Sequence, residues 1–169
     1  MAMWSEIEEY FKKYPMQRRV ALFLLRKGFQ VNEKGRVCVD GIEIPHTQIA
    51  RELGIDRRVV DATAERIRRK ETLYRIFSNL RCVAFLRDVA PMLGLSVVVI
   101  TPEDASKPGI IGRVASKISE WGIPIRQAIA DDPYLFEDPK LTIIAGSELP
   151  GELIKELKAL EGVKRLTII

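Results

Sequence analysis

Histidine and cysteine are scarce in this 169-residue chain, which has one histidine, His46, and two cysteines, Cys38 and Cys82. We take a single histidine to exclude histidine-based acid–base catalysis and multi-histidine metal sites. The cysteines lack CxxC spacing, so neither a metal site nor a disulfide framework is indicated, and we expect two small buried or half-buried thiols. P-loop, dinucleotide and nucleophile-elbow patterns are also missing. We therefore expect a protein that is not an enzyme and has no metal or cofactor.

Long hydrophobic runs are missing as well. No apolar run approaches the roughly 20 residues that span a bilayer, and no charged and then apolar leader opens the chain. We therefore expect a soluble, cytoplasmic protein without a membrane partner. Hydrophobic residues still make up 47% of the chain, which is enough for a packed core.

Charge is distributed unevenly along the chain. Residues 1–94 contain 18 Lys and Arg and 12 Asp and Glu, whereas residues 95–169 contain 9 and 11. The front half is therefore at +6 and the rear half at −2, within a total of +4. This asymmetry predicts two modules with different partners, and the natural partner of a basic module is nucleic acid.

Strand and helix patterns alternate in the rear half. The apolar run 95–101 predicts a buried strand, and an amphipathic helix pattern follows Pro108-Gly109 and ends at Gly122. The later elements are strands at 123–130 and 141–145, a second amphipathic helix that ends at Gly162, and a strand over 163–169. The predicted order is β-α-β-β-α-β, which is the split-βαβ or ferredoxin-like arrangement.

Two segments of this rear half resemble the ACT domain, the amino-acid-sensing module of many metabolic enzymes and regulators. That family usually opens its first helix with Asp-x-Pro-Gly and enters its second strand with a Gly-Ile-x-Ile step. The segments here read Ser106-Lys107-Pro108-Gly109 and Gly122-Ile123-Pro124-Ile125, so Ser106 replaces the usual Asp. The resemblance covers residues 95–169. It implies that the edge strand 123–130 pairs with a second subunit and that an amino acid effector binds at the joint.

The Pro108-Gly109 turn suits a small zwitterion chemically. A helix N-terminus offers backbone N–H groups and partial positive charge to an α-carboxylate, and glycine has no Cβ to obstruct the approach. If the ligand lies at the joint between subunits, as the resemblance implies, Gln127, Asp131 and Asp132 are candidates to meet its ammonium group and side chain. The full set of predicted ligand-binding residues is Ser106, Pro108, Gly109, Ile110, Gln127, Asp131 and Asp132. The alternative is that Pro108-Gly109 is an ordinary strand-to-helix turn and that both aspartates are plain turn residues.

The front half contains a hairpin followed by a pair of helices. Asp40-Gly41 lies between two short alternating strands and predicts a tight β-hairpin whose turn residues both need φ > 0. Residues 46–69 then read HTQIARELGIDRRVVDATAERIRR, in which Gly54 ends one helix and Asp56 caps the next. This segment resembles the DNA-binding helix-turn-helix of many prokaryotic regulators.

The second helix of that pair would place its N-terminal residues in the major groove, where Arg reads guanine or holds phosphate. Residues at the start of the first helix would fix the DNA backbone. The predicted DNA-binding residues are Thr47, Gln48, Arg57, Arg58, Asp61, Arg66 and Arg69. Asp61 and Glu65 share this face and repel phosphate, so they either read bases or are merely solvated. The alternative interpretations are a trihelical packing module that binds protein and a linker that has lost DNA binding.

Together these patterns predict an α+β protein with three parts. They are a mostly helical helix-turn-helix domain with a β-hairpin (1–70), a stiff helical connector (71–94) and a ferredoxin-like, ACT-like domain (95–169). This combination resembles the archaeal-type predicted regulators of amino acid metabolism. The resemblance implies an amino-acid-responsive transcription regulator that binds double-stranded DNA as a homodimer or higher homo-oligomer. The alternative is a non-catalytic regulatory subunit of an amino-acid biosynthetic enzyme, such as homoserine dehydrogenase or aspartate kinase.

Overall fold

The structure is a computed structural model that describes the backbone of residues 2–169 and the side chains of residues 6–169. The chain divides into two compact units, Met1–Ala84 and Phe85–Ile169. The described residues form seven α-helices and two antiparallel sheets, so the predicted mixed α+β class is confirmed.

The first unit is mostly helical. Its elements are α1 (Ala2–Phe11), α2 (Pro15–Lys27), β1 (Gln30–Val31), β2 (Val37–Val39), β3 (Ile42–Glu43), α3 (His46–Leu53), α4 (Arg57–Arg69) and α5 (Glu71–Ser78). Helix α4 lies at the centre and packs against α2, α3 and α5. It buries Val60, Ala64 and Ile67, which recur at helical spacing along one face.

Local chemistry sets the boundaries of these elements. The β2–β3 hairpin turns at Asp40 and Gly41, whose φ angles of 47° and 87° confirm the predicted turn. Helix α3 ends at Gly54, which has a φ of 63°, and the Ile55 N–H donates to the Ala50 carbonyl at 2.9 Å. Asp56 then caps α4 by accepting a hydrogen bond of 2.8 Å from the Arg58 N–H. A tight turn therefore joins α3 and α4.

The second unit is a four-stranded sheet with two helices on one face. Its elements are a single 3₁₀ turn (Pro91–Leu93), β4 (Ser96–Pro102), α6 (Ile110–Glu120), β5 (Ile125–Ala130), β6 (Leu141–Ala145), α7 (Gly151–Ala159) and β7 (Val163–Ile168). The strand order is β5-β6-β4-β7, and every neighbouring pair is antiparallel. The main core lies between this sheet and the helices and includes Ile100, Val114, Ile118, Ile143, Leu153 and Leu157.

The other face of the sheet is covered by the segment 85–95. Val97, Val99 and Ile144 form a smaller buried cluster there with Ala90, against which Leu86 and Leu95 pack. This arrangement corrects the expectation that residues 71–94 are a helical connector of one or two helices. Within 71–94 only Glu71–Ser78 is α-helical. The apolar residues after it cover a sheet face in the second unit instead of forming a helix.

The helix α5 and the residues just after it pack within the first unit. Leu73 and Phe77 are fully buried, and α5 contacts α4 and β1. The Gln30 side-chain amide donates to the Leu80 carbonyl at 2.8 Å. Cys38 is buried, and this burial is the main reason that the pKa of its thiol is raised. Cys82 is exposed, so the expectation of a buried or half-buried thiol is wrong at that position.

Candidate functional sites

A cavity of about 140 Å³ lies at the start of α6 in the second unit. The end of β4 and its loop, the first turn of α6, and the segments around β5 and β6 all contribute to it. The lining residues are Pro102, Ala105, Lys107, Pro108, Gly109, Ile110, Ile111, Ala130, Asp131, Pro139, Lys140 and Leu141. Four of the seven predicted ligand-binding residues, Pro108, Gly109, Ile110 and Asp131, therefore meet at one place.

The backbone at this cavity can donate to an anion. Gly109 precedes α6 with a φ of 104°, which L side chains rarely adopt, and α6 begins without a side-chain cap. The N–H groups of its first turn therefore remain available to a ligand, and the helix dipole adds partial positive charge. A carboxylate fits both features.

Charged side chains line the rest of the cavity. Asp131 Oδ2 accepts from the Lys140 N–H at 3.1 Å, while the Asp131 N–H donates to the Lys140 carbonyl at 2.8 Å, so this carboxylate is held firmly. The Lys140 ammonium is 3.3 Å from Asp138, and Lys107 also lines the cavity. The lining thus includes one carboxylate, two lysines and a helix N-terminus, which are groups that suit the two charges of a zwitterion.

Ser106 and Asp132 do not line the cavity. The Ser106 N–H and hydroxyl both donate to Asp104 Oδ1, at 2.9 and 2.6 Å, and these hydrogen bonds lower the pKa of Asp104. Asp132 Oδ1 accepts from the Tyr134 N–H at 2.8 Å. Both residues therefore shape turns beside the site, which agrees with the turn interpretation of Asp132.

Gln127 lies on the opposite face of the sheet because β5 contains a β-bulge. Ile125 pairs with Ala145, but the next paired residue, Gln127, is opposite Ile144. The extra residue moves Gln127 onto the face where Ile144 is buried, away from the helices. Its Oε1 accepts from the Leu86 N–H at 3.0 Å, so it holds the segment 85–95 against the sheet.

Arg113 lies beside this site, although it does not line the cavity, and its helical position indicated only a solvent-facing side chain. It lies one turn beyond Gly109, and a Cβ on Gly109 would be 2.5 Å from its Nη1. Arg113 Nε also donates to the Glu161 carbonyl at 3.2 Å. The spacing i, i+4 was the available signal. Arg113 brings a further cation to the start of α6.

In the first unit, the exposed residues of the α3–α4 pair form a candidate nucleic-acid interface. The side chains of Arg57 and Arg58, in the first turn of α4, are 61% and 90% exposed. Thr47 and Gln48 are exposed at the start of α3. These four predicted DNA-binding residues are all accessible to a partner.

The Asp61 carboxylate contacts two side chains of the protein itself, those of His46 and Arg57. Its two carboxylate oxygens are 2.6 Å from His46 Nδ1 and 3.2 Å from Arg57 Nε. The buried His46 ring also accepts the Val37 N–H at Nε2, at 3.2 Å. That bond assigns the ring proton to Nδ1, which donates to Asp61.

Arg66 and Arg69, two further predicted DNA-binding residues, also contact side chains of the protein itself. The Arg66 guanidinium lies over the Tyr14 ring, 3.8 Å from its centroid, in a cation–π contact. Arg69 Nε donates to Glu65 Oε1 at 2.6 Å, and Arg68 binds the same carboxylate. Hydrogen bonds from Arg68 and Arg69 lower the pKa of Glu65 to about 2. The negative charge of Glu65 is thus offset by its neighbours.

The His46–Asp61 bond predicts a stability difference between two substitutions. Asp61→Ala leaves the buried His46 N–H without an acceptor, and we expect it to lower the free energy of unfolding by about 1–3 kcal/mol. Asp61→Asn retains an acceptor oxygen and should cost less than half as much. Urea unfolding followed by circular dichroism measures both. Equal losses for the two variants would show that this hydrogen bond does not stabilise the fold.

Within residues 2–169, no helix combines the length and the apolar character needed to cross a bilayer. No protein-family model matches the chain, and no curated protein matches it significantly in sequence.

Proposed function

We propose that this chain is an amino-acid-responsive transcription regulator whose second unit binds a small amino acid and whose first unit binds double-stranded DNA. The observation that carries the proposal is the cavity at Pro108 and Gly109. It combines the N-terminus of α6 with Asp131, Lys107 and Lys140, so it offers groups that suit both a carboxylate and an ammonium group.

The size of the cavity supports a small ligand. A water molecule occupies about 30 Å³ in the liquid, so 140 Å³ has room for about five groups of that size. An amino acid with a short side chain is of this order. Ile110, Ile111 and Leu141 also line the cavity and would contact the side chain.

The arrangement of the second unit supports the same ligand class and a dimer. Its element order βαββαβ and its strand order are those of the ferredoxin-like arrangement on which ACT domains are built. In the described residues β5 lies at the edge of the sheet and pairs only with β6. Pairing with a second copy would cover this edge and place the two effector sites near the joint.

The first unit supports DNA as the second partner. Arg57 and Arg58 are exposed at the start of α4, after a tight turn from α3, and Thr47 and Gln48 are exposed beside them. Helices joined in this way insert the start of the second helix into the major groove. The net charge of +6 over residues 1–94 favours a polyanion.

A thermal-unfolding screen against the common amino acids tests the effector. A ligand at 100 times its Kd should raise the free energy of unfolding by about 2.7 kcal/mol and raise the melting temperature accordingly. Asp131→Asn should reduce this shift, because it removes the charge that pairs with the ammonium group. A screen in which no amino acid changes the unfolding temperature would contradict the proposal that the second unit binds an amino acid effector.

Duplex DNA binding at low salt, with and without the effector from the screen, tests the regulator. A salt-dependent complex whose affinity changes with the effector supports it. Co-purification with an amino-acid biosynthetic enzyme, together with no DNA complex, would favour the regulatory-subunit alternative instead.

A further inference from the structure

The turn between β1 and β2, residues 32–36, is held rigidly. Asn32 Oδ1 accepts from the N–H groups of Lys34 and Arg36, at 3.0 and 2.9 Å. The Asn32 N–H donates to the Arg36 carbonyl at 2.9 Å, and the Gly35 N–H donates to the Asn32 carbonyl at 2.9 Å. These four hydrogen bonds fix the backbone that carries Lys34 and Arg36.

The same turn rests on α4. Gly35 is buried with a φ of 69°, and a Cβ there would be 3.2 Å from Glu65 Oε2 and 3.4 Å from Arg68 Cδ. A longer residue would separate the turn from the helix. Lys34 and Arg36 are therefore kept beside α4 on a turn that adapts little when it binds a partner.

A cavity of about 480 Å³ lies between this turn and the starts of α3 and α4. Its lining residues are Lys34, Gly35, Arg36, Pro45, His46, Thr47, Arg57, Asp61 and Glu65. The surface thus combines two cations from the turn with the hydroxyl of Thr47 and the guanidinium of Arg57. Thr47 and Arg57 already belong to the candidate DNA interface.

The charge balance of this surface favours an anion. Asp61 is bound by His46 and Arg57, and Glu65 is bound by Arg68 and Arg69. Among the described residues, by contrast, no ion pair involves Lys34 or Arg36. Glu33 belongs to the turn but does not line the cavity. Three cations, Lys34, Arg36 and Arg57, therefore line the cavity beside two carboxylates that are already paired.

We propose that the turn 32–36 is a second DNA-binding element, in which Lys34 and Arg36 bind phosphates of the duplex beside the starts of α3 and α4. This inference rests on the DNA-binding part of the proposed function and extends it to a segment outside the helix pair. Phosphate contacts from rigid elements fix the register of a protein on the duplex without reading sequence. The turn would therefore set the angle at which Arg57 and Arg58 meet the groove.

The salt dependence of binding tests this role without knowledge of an operator. The probe is a fluorescein-labelled random-sequence duplex of about 30 base pairs, titrated in fluorescence anisotropy between about 50 and 200 mM salt, a range in which phosphate contacts alter affinity strongly. Each phosphate contact contributes about 0.9 to the slope of log K against log salt, so the double variant Lys34→Gln, Arg36→Gln should be shallower by about two. When salt is raised from about 50 to about 200 mM, the fold-loss of affinity in this variant should therefore be about ten times smaller than in the wild type.

The double variant Lys155→Gln, Lys158→Gln is the matched control, because it removes two exposed lysines from α7 in the second unit. We expect it to keep the wild-type slope, and circular dichroism should show both variants folded. A wild-type slope in the turn variant, with DNA binding intact, overturns the role of the turn and leaves the proposed function standing. Wild-type protein that binds no duplex even at the lowest salt overturns both. Equal loss of slope in the two variants would show that only overall charge matters and also overturns the assignment.

Discussion

Gly28→Ala should destabilise the first unit more than the same substitution at Gly54. Gly28 ends α2 with a φ of 69°, and the Phe29 N–H donates to the Leu24 carbonyl at 2.9 Å, as in a Schellman C-terminus. A Cβ at this position would be 2.3 Å from the carbonyl oxygen of Arg81 and 3.1 Å from Cys82 Cα. Both atoms belong to the backbone, so relief requires the segment after α5 to move away from α2.

Gly54→Ala is the matched control for this prediction. Gly54 ends α3 in the same way, with a φ of 63° and an Ile55 N–H that donates to the Ala50 carbonyl. Among the described residues, however, no heavy atom beyond its chain neighbours lies within 4 Å of its Cβ position. The left-handed conformation alone costs an L residue about 1–2 kcal/mol, and this should be the whole loss at Gly54. Gly28→Ala adds an overlap, which typically costs about 1–3 kcal/mol more.

Urea unfolding followed by circular dichroism measures the difference between these two alanine variants. If Gly28→Ala and Gly54→Ala lose the same free energy of unfolding, the residues after α5 do not rest on the end of α2. A larger loss at Gly28 would establish that residues 80–82 are part of the first unit.

Features set by neighbouring residues were predictable from the sequence. The positive φ at Asp40, Gly41 and Gly54 follows from the turn and helix-end chemistry of those residues themselves. Asp56 caps α4 as its position before the helix indicated. The exposed N–H groups at Pro108 and Gly109 belong to the same class, because a strand-to-helix turn of that composition exposes them. The cavity itself does not, because residues 130–131 and 139–141 also line it.

Features set by contacts between distant residues were not predictable. The alternation of Ile125 and Ile129 indicated one shared face, but the bulge before Gln127 places Ile129 opposite Thr142, on the other face. Asp61 looked like a base-reading or solvated residue, because nothing local indicates that His46 packs beside it. The apolar pattern of 71–94 likewise does not indicate which surface these residues cover. In the structure, residues in its second part pack on one face of the sheet in the second unit.

Gly109→Ala should abolish most of the effector affinity while the protein stays folded. The φ of 104° at Gly109 strains any L residue, at a cost of about 1–3 kcal/mol, and the new Cβ would displace the Arg113 guanidinium. Because that guanidinium ends a flexible side chain, the fold can accommodate the change. The variant nevertheless adds a methyl group and moves a guanidinium at the first turn of α6, where we expect the ligand's carboxylate, so affinity should fall at least tenfold.

Gly112→Ala separates this effect from the general consequences of adding a methyl group to α6. Gly112 lies three residues further along and does not line the cavity. In the part of the chain that the structure describes, no heavy atom beyond its chain neighbours and its own helix backbone lies within 4 Å of its Cβ position. Alanine within a helix is better than glycine by about 0.5–1 kcal/mol, so this variant should be slightly more stable and bind the effector normally. Isothermal titration with the amino acid that gives the largest thermal shift compares the three proteins. Unchanged affinity in a folded Gly109→Ala protein would place the effector elsewhere. The affinity of a ligand bound by the first turn of α6 should change when that turn gains a methyl group and its arginine is displaced.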